Sequence, residues 1–128
     1  FRHRNHLGAM TSAPVAFASG PVSLDMTDPL VSTFGTNARK PLGTVMGLWS
    51  GNVVSDILLK YAGGSNDRDP ILIRIGGSVP TSVVSGYWPE DVTLDAQVKY
   101  AGSANDRDPI LQNIGGSIPT AVRAEQLP

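Results

Sequence analysis

The sequence predicts an α+β protein, in which an N-terminal β segment precedes two pseudo-symmetric units that each consist of a loop and a short helix. The first observation behind this prediction is an internal repeat: residues 61–81 and 100–120 are identical at 16 of 21 positions, at an offset of 39 residues. The second is a content of 14 glycines and 10 prolines in 128 residues, which indicates many short elements joined by turns. Two copies are too few for a solenoid, so we expect a pair that buries a shared face.

The repeat divides the chain into a segment of residues 1–47 and a repeat region of residues 48–128. Units of about 48–83 and 87–122 follow from the alignment, because the match extends upstream to the pairs Trp49 and Trp88, Val53 and Val92, Asp56 and Asp95, and Lys60 and Lys99. Short apolar runs between turn residues predict strands at 15–18, 22–26 and 31–34. Residues 1–6 alternate as a strand would. We therefore expect segment 1–47 to be the end of a preceding β domain in a longer or processed protein.

Each unit has the pattern of a strand, a polar turn and a short helix. The stretches 57–61 and 97–100 are strand-like, and helices are expected over 71–75 and 110–114. An N-cap aspartate, a second aspartate and a proline mark each helix start: Asp67, Asp69 and Pro70 in the first unit, and Asp106, Asp108 and Pro109 in the second. Paired glycines end both helices. Helices of about two turns are unstable alone, so their apolar faces must pack against the rest of the chain.

Composition and motif content argue against several functions. The net charge of −1 creates no field that would draw the chain to nucleic acid or to an anionic membrane. No apolar run reaches the roughly 18 residues that a membrane span requires. The absence of cysteine excludes disulfides and thiolate metal sites. The only histidines are His3 and His6, and no serine or threonine lies in a nucleophile motif, so the sequence predicts a non-catalytic protein.

Oxygen-bearing side chains at alternate positions predict a calcium loop in the second unit. Asp91, Thr93 and Asp95 have the i, i+2, i+4 spacing at which side chains of a curled loop point toward an ion. The carbonyl of Gln97 would supply a further ligand. The shell would be completed from the helix start by one of two carboxylates, Asp106 or Asp108. Calcium is the expected cation because it accepts about six to eight hard oxygens in forgiving geometry.

The second unit, written as D-V-x-x-D-x-x-V-K-Y-x-G-x-x-N-D-R-D-P-I-L and ending in I-G-G-x-x-P-T, resembles a dockerin-like, EF-hand-type repeat. Such repeats occur as a tandem pair at the C-terminus of large secreted and cell-surface bacterial proteins. The resemblance implies an extracellular location, folding that calcium stabilises, and a role in attachment or assembly. Against the family pattern, Thr93 stands in place of Asn, and Ala96 in place of the Gly that permits a sharp turn.

The first unit keeps fewer of the expected ligands. Asn52 and Asp56 occupy the first and fifth ligand positions, whereas Val54 at the third position has no side-chain oxygen. Asp67 and Asp69 are the candidates from the helix start. A second interpretation applies to both units: the aspartates only cap helices, and packing alone holds the degenerate loops.

The sequence therefore predicts a structural or adhesive module whose degenerate calcium loops stabilise a paired scaffold. Its partner would be another protein or further copies of the chain. One alternative is a self-assembling subunit of an extracellular filament, since the low charge and the N-terminal strand fit edge pairing between copies. The other is a glycan-binding module that uses aromatic residues at matched positions, which would otherwise belong to the core: Trp49, Trp88, Tyr61 and Tyr100.

Overall fold

Six short strands and two helices make up the regular structure of the residues that the structure describes. The computed structural model describes residues 1–17 and 20–128. The predicted mixture of α and β structure is confirmed at that level. In chain order the elements are β1 (Lys40–Leu42), β2 (Val45–Gly47), β3 (Leu58–Lys60), α1 (Arg68–Arg74), β4 (Val83–Ser85), β5 (Gln97–Lys99), α2 (Arg107–Asn113) and β6 (Val122–Ala124).

The two repeat units exchange strands. Strand β3 pairs antiparallel with β6, and β4 pairs antiparallel with β5, so the first strand of each unit lies against the last strand of the other. Helix α1 packs on β5, and α2 packs on β3. Elements at an offset of 39 residues thus have equivalent neighbours, which is a pseudo-two-fold arrangement. Strands β1 and β2 form a separate hairpin.

The core is built from equivalent positions of both units. Four pairs of apolar residues contribute to it: Val53 and Val92, Leu59 and Val98, Ile71 and Ile110, and Ile75 and Ile114. Leu7 from the N-terminal segment belongs to the same buried cluster. The shared face that the repeat predicts is therefore present, and the short helices pack their apolar side on it.

The helices end where the glycine pairs predict. Gly77 has a φ of +77° and donates its N–H to the carbonyl of Leu72 at 2.8 Å. Gly116 has a φ of +82° and donates to Leu111 at 2.8 Å. Left-handed backbone at these positions favours glycine, and the two bonds satisfy carbonyls of the last helical turn.

The strands predicted in the N-terminal segment are wrong for the residues that the structure describes. Stretches 15–17, 22–26 and 31–34 form no strand, and Ala18 lies outside the described residues. Apart from the β1–β2 hairpin, the described part of this segment forms isolated bridges, between Thr11 and Thr33 and between His6 and Ser50. The buried side chain of Arg39 organises this region instead, donating to the carbonyls of Met26 at 2.6 Å, Asp28 at 3.0 Å and Val31.

Residues 1–6 do not form a strand either. The chain turns at Arg4 and Asn5, so that the N–H of His6 donates to the carbonyl of His3 at 3.3 Å. This turn brings the two imidazoles together, with 2.9 Å between their Nδ1 atoms. A strand would have placed them on opposite sides.

Candidate metal sites in the two loops

The aspartate before each helix is fully buried and is bonded to backbone N–H groups of its own loop. Asp106 Oδ1 accepts from the backbone N–H groups of Val92 at 2.8 Å and Thr93 at 2.9 Å, and from the Thr93 hydroxyl at 3.1 Å. Its Oδ2 accepts from the N–H of Lys99 at 2.7 Å. The carboxylate therefore joins the start of helix α2 to the loop and to strand β5.

Asp67 has the same role in the first unit with fewer bonds. Its Oδ1 accepts from the N–H of Val54 at 3.1 Å, and its Oδ2 from the N–H of Lys60 at 2.8 Å. Val54 has no hydroxyl to add the bond that Thr93 makes to Asp106. Both aspartates are 0% exposed.

The prediction that the side chains of these aspartates cap their helices is wrong. Asp67 and Asp106 occupy the N-cap positions, but neither side chain bonds to a helical N–H. Asn66 does so instead: its Oδ1 accepts from the N–H of Asp69 at 2.9 Å, and its Nδ2 donates to Asp69 Oδ2 at 2.8 Å. Asn105 makes the same two bonds to Asp108, at 3.0 and 2.8 Å. The asparagine of each N-D-R-D motif is thus the residue that the sequence analysis missed.

The first ligand position differs between the loops. Asp91 in the second loop is 2% exposed, and its carboxylate accepts from the N–H groups of Asp95 and Ala96, both at 3.1 Å. Asn52 in the first loop accepts from the N–H of Asp56 at 3.2 Å and donates its amide to the Asp56 carbonyl at 2.6 Å. A neutral amide closes one loop, and a carboxylate closes the other.

The charge of Asp91 is balanced by an arginine from the N-terminal turn. Arg4 Nη2 lies 3.3 Å from Asp91 Oδ2, and Arg4 Nε donates to the Trp88 carbonyl at 3.1 Å. The guanidinium also stacks on Tyr87, 3.5 Å from the ring centroid. No local pattern could have revealed this contact, because 87 residues separate the two partners.

Asn5 joins the two loops. Its side-chain amide donates to the backbone carbonyl of Asp91 at 2.7 Å. Its backbone carbonyl accepts from the N–H groups of Gly51 at 2.8 Å and Asn52 at 3.0 Å. The residue is 0% exposed. The N-terminal turn is therefore an integral part of the paired loops.

The other predicted ligands are also engaged. Asp95 accepts from the N–H of Gln97 at 2.9 Å and pairs with Lys99 Nζ at 3.1 Å, and Asp56 accepts from the N–H of Leu58 at 2.7 Å. Gln97 begins strand β5. Each helix-start arginine pairs with the next aspartate, Arg68 with Asp69 at 3.0 Å and Arg107 with Asp108 at 3.5 Å.

Calcium binds oxygen atoms of the type found in the second loop, but in the structure these oxygens accept hydrogen bonds or form ion pairs. Asp91, Asp95 and Asp106 are held by N–H donors or cationic side chains. Within residues 1–17 and 20–128, no three His, Cys, Asp or Glu side chains are placed together to hold a metal ion. A calcium ion in this loop would have to take the place of Arg4 and Lys99.

Backbone geometry sets Ala96 apart from its counterpart in the first loop. Ala96 has a φ of +63°, in the left-handed region that glycine adopts most readily. At this position the chain has alanine where the dockerin-like pattern has glycine. Ile57, at the equivalent position, is not among the residues with positive φ.

The four aromatic candidates pack against the rim of the core, each with a guanidinium near its ring. Arg123 lies 3.5 Å from the ring centroid of Trp49, and Arg74 lies 4.1 Å from that of Trp88. The corresponding distances for Tyr61 and Tyr100 are 5.1 and 5.0 Å. All four side chains are partly buried. Cation–π contacts therefore occupy part of the surface that a glycan would need.

Burial changes the acidity of the loop-closing aspartates. It raises the pKa of Asp67 to about 6, although the N–H donors of Lys60 and Val54 act in the opposite direction. Burial also raises the pKa of Asp106, against the N–H donors of Lys99 and Thr93. Both carboxyls are thus easier to protonate than an exposed aspartate.

No protein-family model, curated protein or solved structure matches this chain. In the part of the chain that the structure describes, neither helix has the length and apolar character of a membrane span.

Proposed function

We propose that this chain is a non-catalytic structural and adhesive module of a secreted or surface-displayed bacterial protein, acting in attachment or assembly. The observation that carries the proposal is that the two units expose apolar side chains at the same two positions of the repeat. Val79 and Ile118 are 53% and 63% exposed, and Val83 and Val122 are each 51% exposed. Contiguous exposed apolar patches mark surfaces that another protein covers, and the proposal assigns these four residues to such a surface.

Assembly is tested by placing charge on this surface. Sedimentation of the purified chain should show concentration-dependent association, and the Val83→Lys/Val122→Lys variant should remain monomeric. Val45→Lys is the matched control, since Val45 is a strand valine of similar exposure outside the repeat units. Association that persists in the double variant, or is lost in the control, would count against these positions.

Calcium is part of the same proposal, and the second loop is where it would bind. Asp91, Thr93, Asp95, Gln97 and the helix-start acid supply hard oxygens there, whereas the first loop has Asn52 and Val54 at two of these positions. Bound calcium would neutralise the clustered carboxylates and so couple ion binding to folding. Arg4 and Lys99 supply positive charge to the same carboxylates from within the chain.

Thermal unfolding in calcium and in excess chelator tests this part. The midpoint should be higher in calcium, and the difference should grow in Arg4→Gln, where the competing guanidinium is absent. The difference should vanish in Asp91→Asn, because this variant has an asparagine at the first ligand position of the second loop, the position that Asn52 has in the first loop. Equal midpoints in calcium and chelator for the wild type and Arg4→Gln would remove calcium from the proposal.

A filament subunit is the second candidate, favoured by the open strand edges. The sheets of the described residues each contain two strands, so each strand has one edge without a partner. Such edges permit pairing between copies. Negative-stain images of the purified chain should show fibres if this candidate is right, and compact single particles if it is wrong.

A further inference from the structure

A cavity at the N-terminal side of the molecule is lined by none of the carboxylates of the two calcium-loop candidates. It has a volume of about 270 Å³, and its walls are mainly apolar. Met26, Met46 and Leu94 form part of these walls, and His3, His6 and Arg39 supply polar groups. A cavity of roughly 150 Å³ is enough to admit benzene, so this one has room for a substituted ring.

Arg39 gives the cavity an unbalanced positive charge. The residue is 5% exposed, and its Nη atoms donate only to the backbone carbonyls of Met26, Asp28 and Val31. Carbonyls carry no net negative charge. Over residues 1–17 and 20–128, the ion pairs involve other cationic side chains and not Arg39. A buried charge without a counter-ion is costly, and an anion would compensate it.

Arg39 also has a donor to spare. Its Nε is buried and has no hydrogen-bond partner. Buried donors are rarely left without an acceptor in folded proteins, so an orphaned N–H beside a cavity points to an acceptor that arrives from outside the chain. A carboxylate is an acceptor of this kind, and it bonds well to guanidinium groups.

The histidine pair adds a neutral polar edge. Because the two Nδ1 atoms are 2.9 Å apart, one must carry a proton and the other a lone pair. Burial, with smaller contributions from His3 and Arg4, lowers the pKa of His6 to about 4. His6 is therefore neutral at physiological pH. Two imidazoles also suggest a metal ion, but Arg39 lines the same cavity, and its positive charge opposes a cation and favours an anion.

We propose that this cavity binds a small organic acid, with its carboxylate on Arg39 and its apolar body between Met26, Met46 and Leu94. Neither the charge alone nor the apolar wall alone defines this class of ligand. The charge selects an anion, and the wall excludes small, strongly hydrated anions such as acetate and phosphate. The inference is independent of the proposed attachment function, since it uses none of the loop carboxylates.

The test is a titration of the folded, isotope-labelled chain with three probes, followed by NMR. Phenylacetate carries both required features, phenylacetamide has the ring without the charge, and acetate has the charge without the ring. Phenylacetate should bind saturably, with a Kd on the order of 1 mM or tighter. Shifts should centre on Arg39, His6 and the methyl groups of Met26 and Met46. Phenylacetamide and acetate should each bind at least about tenfold more weakly.

Two variants locate the site. Met46→Trp fills the cavity and should abolish phenylacetate binding, whereas Met10→Trp adds the same side chain outside the cavity and should leave binding unchanged. Arg39→Gln should bind the acid and the amide equally; if loss of Arg39 unfolds the chain, the probe comparison and Met46→Trp still decide. Equal binding of acid and amide to the wild type, retained binding in Met46→Trp, or no saturation by about 10 mM would overturn the proposal.

Discussion

The two loops have equivalent positions in the repeat but close in different ways. Asn52 closes the first loop from within, because an amide can both donate to and accept from Asp56. Asp91 closes the second loop by accepting only, and its charge calls for a cation, which Arg4 supplies. The comparison teaches that the neutral amide of the first loop needs no counter-charge, whereas the carboxylate of the second loop depends on Arg4 from another part of the chain.

The largest effect should come from removing the buried aspartates. Asp106→Ala removes an acceptor of the backbone N–H groups of Val92, Thr93 and Lys99, of which Val92 keeps the Glu90 carbonyl, and should lower the free energy of unfolding by about 3–5 kcal/mol. Asp67→Ala removes the acceptor of fewer groups and should cost about 2–3 kcal/mol. Urea unfolding measures both values. Asp108→Ala, at a half-exposed carboxylate, is the control and should cost less than about 1 kcal/mol. A larger loss in Asp67→Ala would reverse the ranking of the two loops.

Breaking the pair between Arg4 and Asp91 should have the next largest effect. Arg4→Gln leaves a buried carboxylate unpaired and should cost about 2–4 kcal/mol. Adding Asp91→Asn should restore part of that loss, because the second loop then has a neutral amide, as the first loop has in Asn52, and no unpaired carboxylate. A double-mutant cycle gives the coupling energy. Arg68→Gln, which breaks the pair with the half-exposed Asp69, should cost at most about 1 kcal/mol. Additive losses at Arg4 and Asp91 would show that the arginine does not serve the carboxylate.

Glycine substitutions at equivalent positions should act with opposite signs. Ala96→Gly relieves the left-handed backbone and should raise the free energy of unfolding by about 0.5–1 kcal/mol, after the entropy cost of glycine is subtracted. Ile57→Gly has no such strain to relieve and should lower it by about 1 kcal/mol. Thermal or urea unfolding of the two variants suffices. Stabilisation by both, or by neither, would mean that the loop backbones do not differ in this way.

In the wild type the smallest effect concerns pH, because two groups contribute in opposite directions. Because the folded pKa of Asp67 is about 6 and its ordinary value is 3.8, the folded state holds this proton more tightly, and its contribution to stability falls as pH rises between those values. His6 acts in the opposite direction: its folded pKa of about 4 lies below 6.5, so its contribution is lost as pH falls through that range. In His6→Gln the free energy of unfolding should therefore decrease from pH 4 to 6, and the Asp67 carboxyl carbon should titrate near pH 6 by NMR. A carboxyl that titrates near 3.8 would contradict the role given to burial.

The sequence predicted the features that lie close together along the chain. The helices of the units follow from proline, apolar spacing and paired glycines, and strands β3 and β5 from short apolar runs. Each of these signals acts within a few residues. Asp106 was predicted as a metal ligand or a helix cap, whereas in the structure it accepts hydrogen bonds from backbone N–H groups and from the Thr93 hydroxyl.

The missed features depend on distant partners. Arg4 and Asn5 reach the loops across more than 80 residues, and β4 and β6 became strands only because β5 and β3 lie beside them. The predicted N-terminal strands failed for the same reason. The described residues of these apolar runs have no partner strand, and the carbonyls of Met26 and Val31 are bonded by Arg39 instead.

The exchange of strands between the units has a consequence for how the chain can be divided. Neither unit can complete its own sheets, since β3 needs β6 and β4 needs β5. Each half therefore offers a docking template for the other, and the connection between β4 and β5, residues 86–96, decides whether that partner comes from the same molecule. A linker stiffened or shortened at this point would favour a domain-swapped dimer, in which two chains trade halves without changing a single contact in the core.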